Sequence, residues 1–295
     1  MRALGPTEAA AVVLCKALRD RMNVVVAKAA AISAEFQLKS LASDLLQAFD
    51  RLFEKTVETD RQCWAKTAIA RALKDLGHAE SAPFLRGLRH IQMEACVARG
   101  KGYGGALRGT CVLALVQCAD LPRSDTMLHL VDADTGVRRD VVLAVEQMAG
   151  HDAIYLLRLT ARLGDKSEVT GQAFESLLRL HPASCMDWVG TFLKSENEQV
   201  AEEAALALGA SRLPAALETL KATWKESKNR ALGPVLLRAI SASRSEEALE
   251  FLLAIVREGR PSEAQDALRA LEIHCDSDDI RRRIEEALAR MSRKS

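Results

Sequence analysis

Aromatic residues are scarce in this chain, only 4% of its 295 residues. Strands favour aromatic and β-branched side chains, so a sheet-built fold is disfavoured from the outset. Long apolar runs are missing as well. The longest segment free of Asp, Glu, Lys and Arg spans 109–119, well short of the roughly 18 residues that a membrane-crossing helix needs. A short apolar run, Ala9–Cys15, lies near the start, but Glu8 precedes it and Lys16 ends it. Neither a cleavable leader nor a lipid-anchored Cys15 is expected from such flanks. Disulfide and zinc chemistry are disfavoured too, because the seven cysteines are odd in number and form no C-x-x-C pair,. Their usage suits a reducing compartment, and a cytoplasmic location is expected. Excess charge is also absent: 41 basic residues oppose 40 acidic ones, for a net charge of +1. No global field therefore draws the chain to nucleic acid or to an anionic membrane, and no membrane role is expected.

What the chain does have is hydrophobic content, 48%, dominated by Ala and Leu, which are strong helix formers. That content is periodic. One pattern recurs, an apolar residue followed at offsets 4, 7 and 8 by apolar, small and apolar residues. It reads Ala65/Ile69/Ala72/Leu73, Leu107/Cys111/Ala114/Leu115, Val137/Val141/Ala144/Val145, Val169/Ala173/Ser176/Leu177, Val200/Ala204/Ala207/Leu208 and Leu232/Leu236/Ala239/Ile240. A last copy, Glu263/Ala267/Ala270/Leu271, carries a charge at its first position. From Ala114 onward the small residue returns after 30, 32, 31, 32 and 31 residues.

These offsets mark one face of an α-helix, and the small residue predicts close stacking on a neighbour. A second apolar helix follows each copy, through Phe84/Leu85/Leu88, Leu128/Val131, Ile154/Leu156/Leu157, Val189/Phe192/Leu193, Leu217/Leu220 and Leu249/Leu252/Leu253. Turn residues separate the two, among them Gly77-His78, Gly150-His151 and His181-Pro182,. The periodicity predicts an all-α solenoid, a right-handed superhelix of about seven helical pairs. Residues 61–295 form the array. Residues 1–60 do not match the repeat, and two longer helices are predicted there, capping its open end.

Residues 72–85, ALKDLGHAESAPFL, strongly resemble the short HEAT repeat of the phycobilin-lyase-like type: an Ala-Leu helix end, Leu-Gly, a polar turn, then Ala-Pro-x-Leu. The resemblance covers about residues 62–291 and implies a fold rather than an activity. It implies a macromolecular binding role, with a concave surface lined by the first helix of each pair. No bilin-lyase residue has a counterpart here, and no cofactor is expected.

Counting the first residue of each repeat as position 1, positions 7 and 10 are predicted to face that surface. They are polar in the outer copies (Arg71, Lys74; Arg238, Ser241; Arg269, Glu272) and apolar in the middle: Leu113, Val116, Leu143, Leu178 and Leu206. An apolar cluster on a protein surface marks an interaction site, so these five are the candidate partner-binding residues. A second candidate is the Gly-rich stretch Arg99–Gly105, where Arg99, Lys101 and Tyr103 could contact a partner from a loop. It lacks the lysine-terminated phosphate-loop pattern and follows no strand.

Charge falls in blocks. Residues 86–108 and 221–238 are basic, the latter through Lys221, Lys225, Lys228, Arg230 and Arg238, while 120–152 is acidic. Alternating signs suit a protein partner better than a continuous phosphate backbone. No nucleophile–base set recurs, no histidine or cysteine spacing suggests a metal, and no catalytic residue is predicted. A protein-interaction scaffold is the expected function. Nucleic-acid binding, as in HEAT-like DNA glycosylases, and a lyase or chaperone subunit are the alternatives.

Overall fold

A computed structural model describes residues 7–54, 56–94, 103–227, 231–274 and 277–292. The described residues form 18 α-helices and no strand. Their only β pairing is an isolated antiparallel bridge between Gln92 and Tyr103. The chain divides into two compact units, 1–148 and 149–295.

In the first unit, α1 (Glu8–Leu18), α2 (Asn23–Glu35) and α3 (Ala42–Arg51) precede a one-turn α4 (Thr56–Thr59). The two longer helices predicted over 1–60 are therefore broken into shorter ones. The breaks are chemical: the Asp20 carboxylate takes the Met22 N–H at 2.8 Å, and Gln37 turns to a left-handed φ of 52°. The apolar face of α1 is Ala10, Leu14 and Leu18.

Beyond them come α5 (Trp64–Asp75), α6 (Ala82–Leu88), α7 (Gly105–Leu115), α8 (Arg123–Leu128) and α9 (Thr135–Met148). Helices α2, α5, α7 and α9 pack side by side in one row, each on the next. The small-residue rule explains the row: Ala72, Ala114 and Ala144 are all at most 1% exposed. Among the flanking helices, Phe84 and Leu88 of α6 are buried as predicted. Leu128 and Val131 are not, at 71% and 86% exposure. Helix α8 lasts only six residues before a 3-10 turn, too short to hold both against the row.

The second unit continues with α10 (His151–Leu163), α11 (Ser167–Leu180), α12 (Pro182–Thr191), α13 (Glu198–Ser211), α14 (Pro214–Glu226), α15 (Leu232–Ala242), α16 (Glu246–Glu258), α17 (Pro261–Leu271) and α18 (Asp278–Ser292). Here α11, α13, α15 and α17 make the row, and the others flank it. Ser176, Ala207, Ala239 and Ala270 are buried. The predicted leucines of the flanking helices, from Leu157 to Leu253, are buried for the most part. Each such side chain stabilises the fold by about 1.5–3 kcal/mol. Proline stands in the first turn of α6, α12, α14 and α17, where its missing N–H has no helical partner to lose,. Helix α13 approaches α15 so closely that a Cβ on Gly209 would lie 2.7 Å from the Ala239 carbonyl carbon and 2.8 Å from its Cα.

Candidate interaction surface

Position 7 of each repeat opens away from the packed row. In the first unit this follows from Arg71, which lines two adjoining cavities of about 450 and 490 Å³ along with Ala68. Leu113 and Leu143 occupy the same position on α7 and α9 and are half-buried, as is Val116. In the second unit Leu206 is 36% exposed. Position 10 behaves differently. Leu178 is only 4% exposed and leaves the accessible set. The reason is rotational: in this unit position 10 turns toward the next helix of the row. Gly209 abuts Ala239 there, and the Ser241 hydroxyl donates to the Ala270 carbonyl oxygen at 2.5 Å.

Of the predicted loop contacts, Arg99 and Lys101 lie outside the described residues. Tyr103 is placed, and its backbone is exchanged with Gln92 through hydrogen bonds of 3.1 and 2.7 Å. Gly104 follows at a φ of 116°, the left-handed region open to glycine, and leads into α7,. Tyr103 lines the 450 Å³ cavity together with Gln62, Trp64, Thr67, Arg71 and Asp134. Trp64 is 55% exposed and makes no ring contact among the described aromatic residues.

Beneath this cavity lies a polar cluster that the sequence reading missed. Asp60 and Lys66 are fully buried and 3.4 Å apart. The Asp60 carboxylate also receives the Ala65 and Lys66 backbone N–H groups at 2.9 and 3.0 Å, capping α5. The Lys66 ammonium donates to the Gln92 side-chain oxygen at 3.1 Å, and the Gln92 amide donates to the Asp60 carbonyl oxygen at 2.9 Å. Arg108 grips Asp132 with two hydrogen bonds of 2.9 and 2.8 Å. Burial pushes the Asp132 carboxyl upward. Hydrogen bonds from Arg108, the Asp134 N–H and His129 outweigh that and hold it at about 2.

Burial raises the Cys63 thiol to about 11 despite the nearby Lys66 charge, so it is a thiol at neutral pH and not a nucleophile. Burial likewise lowers the His90 pKa, against the raising effect of its hydrogen bond to Gln92. The cluster is a clamp: it fixes the start of α5 and the Gln92 side chain, and its groups are engaged with one another. One signal could have found it. Lys66, Arg108 and Arg138 share position 2, where the second unit carries Thr170, Ala201, Gly233 and Ala264.

The open face also carries acid. Burial raises the Glu203 carboxyl, and the charges of Glu175, Glu202 and Glu168 raise it further. Burial raises Asp140 in the same way. Both reach over a glycine of the preceding row helix, Glu203 over Gly171 and Asp140 over Gly109. Trp188 packs edge-on to Phe174 and Phe192, with the Arg158 guanidinium 5.4 Å from its ring, so it serves packing. Trp224 packs edge-on to Phe251 and borders a cavity of about 830 Å³ with Lys225, Arg260 and Asp266.

Among the described residues no three His, Cys, Asp or Glu side chains are placed to hold a metal ion. No described helix is long and apolar enough to cross a membrane. Residues 186–272 match the family model for HEAT repeats. Comparison with curated proteins finds no match.

Proposed function

We propose that this chain, a HEAT-repeat protein by its helical pairs and its family match, works by binding another protein through the open face of its first helices. HEAT repeats are commonly protein-interaction scaffolds. The observation that carries the reading is the position-7 pair in the first unit. Leu113 and Leu143 are large, apolar and half-buried, and they stand on the same face as the cavity that holds an exposed Trp64. An apolar patch on a surface marks an interaction site, and tryptophan is enriched among the residues that carry protein recognition.

Nucleic acid fits this face less well. Asp134 and Asp140 accompany Arg71 in the first unit, and four glutamates gather on α11 and α13 in the second. A phosphate backbone would be repelled by either group of acids. The HEAT-repeat fold is typically non-catalytic, which supports a scaffolding role. The five described cysteines are all free thiols, which supports residence in a reducing compartment such as the cytoplasm.

The test is the double variant Leu113→Glu/Leu143→Glu, tagged and purified from the native host beside the unchanged chain. A half-exposed leucine contributes less to the free fold than a core one, so the melting temperature should move little. Partner recovery should fall sharply, because each buried leucine is worth about 1.5–3 kcal/mol in a complex. Unfolding of the variant would make both residues core and remove the proposal's main support. A folded variant with full partner recovery would place binding elsewhere.

A further inference from the structure

Helix α10 is apolar on two sides. Ala153, Leu157 and Ala161 are buried, and α10 packs on α11. On the opposite side Tyr155, Leu159 and Leu163 stand in water, at 69%, 53% and 76% exposure. A flanking helix has no need of this second stripe, since one apolar face suffices to dock it. The other flanking helices of the unit show the ordinary arrangement. Each position in question lies two residues beyond a member of a buried pair: Cys185/Val189 in α12, Ala216/Leu220 in α14 and Ala248/Leu252 in α16. There α12 carries Asp187 and Thr191, α14 Glu218 and Ala222, and α16 Glu250 and Ala254. Of the four helices, α10 alone turns large apolar side chains outward.

The charges on this face follow a pattern. Asp152 and Arg162 are exposed, and neither has an ion-pair partner among the described residues. Asp152, Tyr155, Leu159 and Arg162 are spaced by 3, 4 and 3 residues. At about 100° per residue, that spacing puts all four within an arc of about 80°. It also reads the same in either direction, with an acid at one end and a base at the other. The dipole of α10 accounts for the signs of the two charges. It does not account for their alignment with the apolar stripe.

We infer that the outer face of α10 pairs with α10 of a second copy of this chain, antiparallel about a two-fold axis at the level of Leu157. In that arrangement Tyr155 of each copy meets Leu159 of the other. Asp152 meets Arg162 at both ends of the seam. The pattern itself selects this occupant. An isologous contact requires a surface that matches itself under a two-fold rotation, and a palindrome of acid, apolar, apolar and base does so. A uniformly acidic or basic partner would satisfy one end of the seam and be repelled at the other. The inference is independent of the protein-binding reading above, which concerns the first helices of the pairs. A seam of about three turns is short beside the roughly 1,200 Å² that a stable interface buries. The expected dimer is therefore weak, with a dissociation constant on the order of 100 µM.

The test is sedimentation velocity on the full chain, from about 5 to about 500 µM. The sedimentation coefficient should rise with concentration from the monomer value toward the dimer value. Leu159→Glu should weaken the association on the order of tenfold or more. Asp152→Arg and Arg162→Asp should each be monomeric, because each sets like charges together at both ends. Their equimolar mixture should associate, because every arginine then meets an aspartate. Leu113→Glu/Leu143→Glu should leave self-association unchanged. The altered seam positions are exposed, and circular dichroism confirms that the variants fold. Where Leu159→Glu loses helicity, Leu159→Gln takes its place.

A chain that stays monomeric up to about 500 µM would overturn the inference. So would a dimer indifferent to the Leu159 variant, or a charge-swapped mixture that associates no better than either variant alone. A monomeric chain whose Leu159 variant loses a protein of the native host would assign the stripe to an unlike partner, and would overturn the inference as well.

Discussion

Gly209 offers a sharp test of the packing because two effects of known size oppose each other there. Glycine inside a helix is about 1 kcal/mol worse than alanine, so Gly209→Ala should stabilise α13 if nothing touched the new methyl group. The structure says otherwise. The added carbon would fall on the Ala239 peptide, 2.7 Å from its carbonyl carbon and 2.8 Å from its Cα. A flexible side chain could swing aside, but the backbone of α15 cannot. Overpacking of this kind costs about 1–3 kcal/mol, and a rigid obstacle puts the cost at or above the upper end. The net loss is about 2 kcal/mol. For a unit of this size that corresponds to a fall of about 4–8 °C in melting temperature.

The control is Gly190→Ala, in α12, where an added carbon meets only the Thr219 Cγ2, at an ordinary 3.7 Å. There no backbone opposes the helix gain, and stability should rise by about 0.5–1 kcal/mol. Differential scanning calorimetry on both variants reads the contrast directly. If Gly209→Ala melts at or above the temperature of the unchanged chain, α13 and α15 are not stacked backbone on backbone, and the packing argument fails.

Two further predictions concern charge. Glu203 has a raised pKa in the folded state, so the fold binds its proton more tightly than the unfolded chain does. Its ionisation therefore destabilises, with the penalty complete above the folded pKa and absent below the unfolded one. Glu203→Gln should raise the melting temperature at neutral pH and make no difference in strong acid, checked by melting curves across pH. Asp132 is the opposite case. Its carboxyl is held at about 2, so its contribution is complete above the unfolded value and is lost as pH falls from about 3.8 toward 2. Arg108→Ala, which strands a carboxylate only 8% exposed, should cost about 3–5 kcal/mol in urea denaturation.

The repeat was legible in the sequence because its cause is local. A small residue is required wherever two row helices touch, and from Ala72 to Ala270 all seven positions are buried. Position 7 was equally readable, since it lies opposite the packed face. Position 10 was not. Whether it opens or turns inward depends on the rotation of each helix against the next, and that rotation is set by long-range packing. Leu178 is buried for this reason, while Val116, at the same position, is half-buried. Leu128 and Val131 failed through length: the apolar pattern was present, but α8 ends too soon to use it. The Asp60–Lys66–Gln92 cluster joins residues far apart in the chain, and no spacing announces such a meeting. Trp64 carried a signal as an aromatic at a helix start, yet its exposure is a property of the cavity beside it.

The bridge between Gln92 and Tyr103 has a consequence for how this chain can be altered. Its two hydrogen bonds hold Gln92 and Tyr103 side by side, and Lys66 and Asp60 anchor the Gln92 side chain. Joining two already apposed points costs little more when the connection grows, about 0.6 kcal/mol for each doubling of its length. The chain can thus be lengthened between these two points while the row of helices keeps its register. A tag, a peptide epitope or a small folded domain grafted between Glu94 and Tyr103 would stand directly beside Trp64 and Arg71. Such a graft would act as a tethered ligand or as a plug, depending only on what it carries.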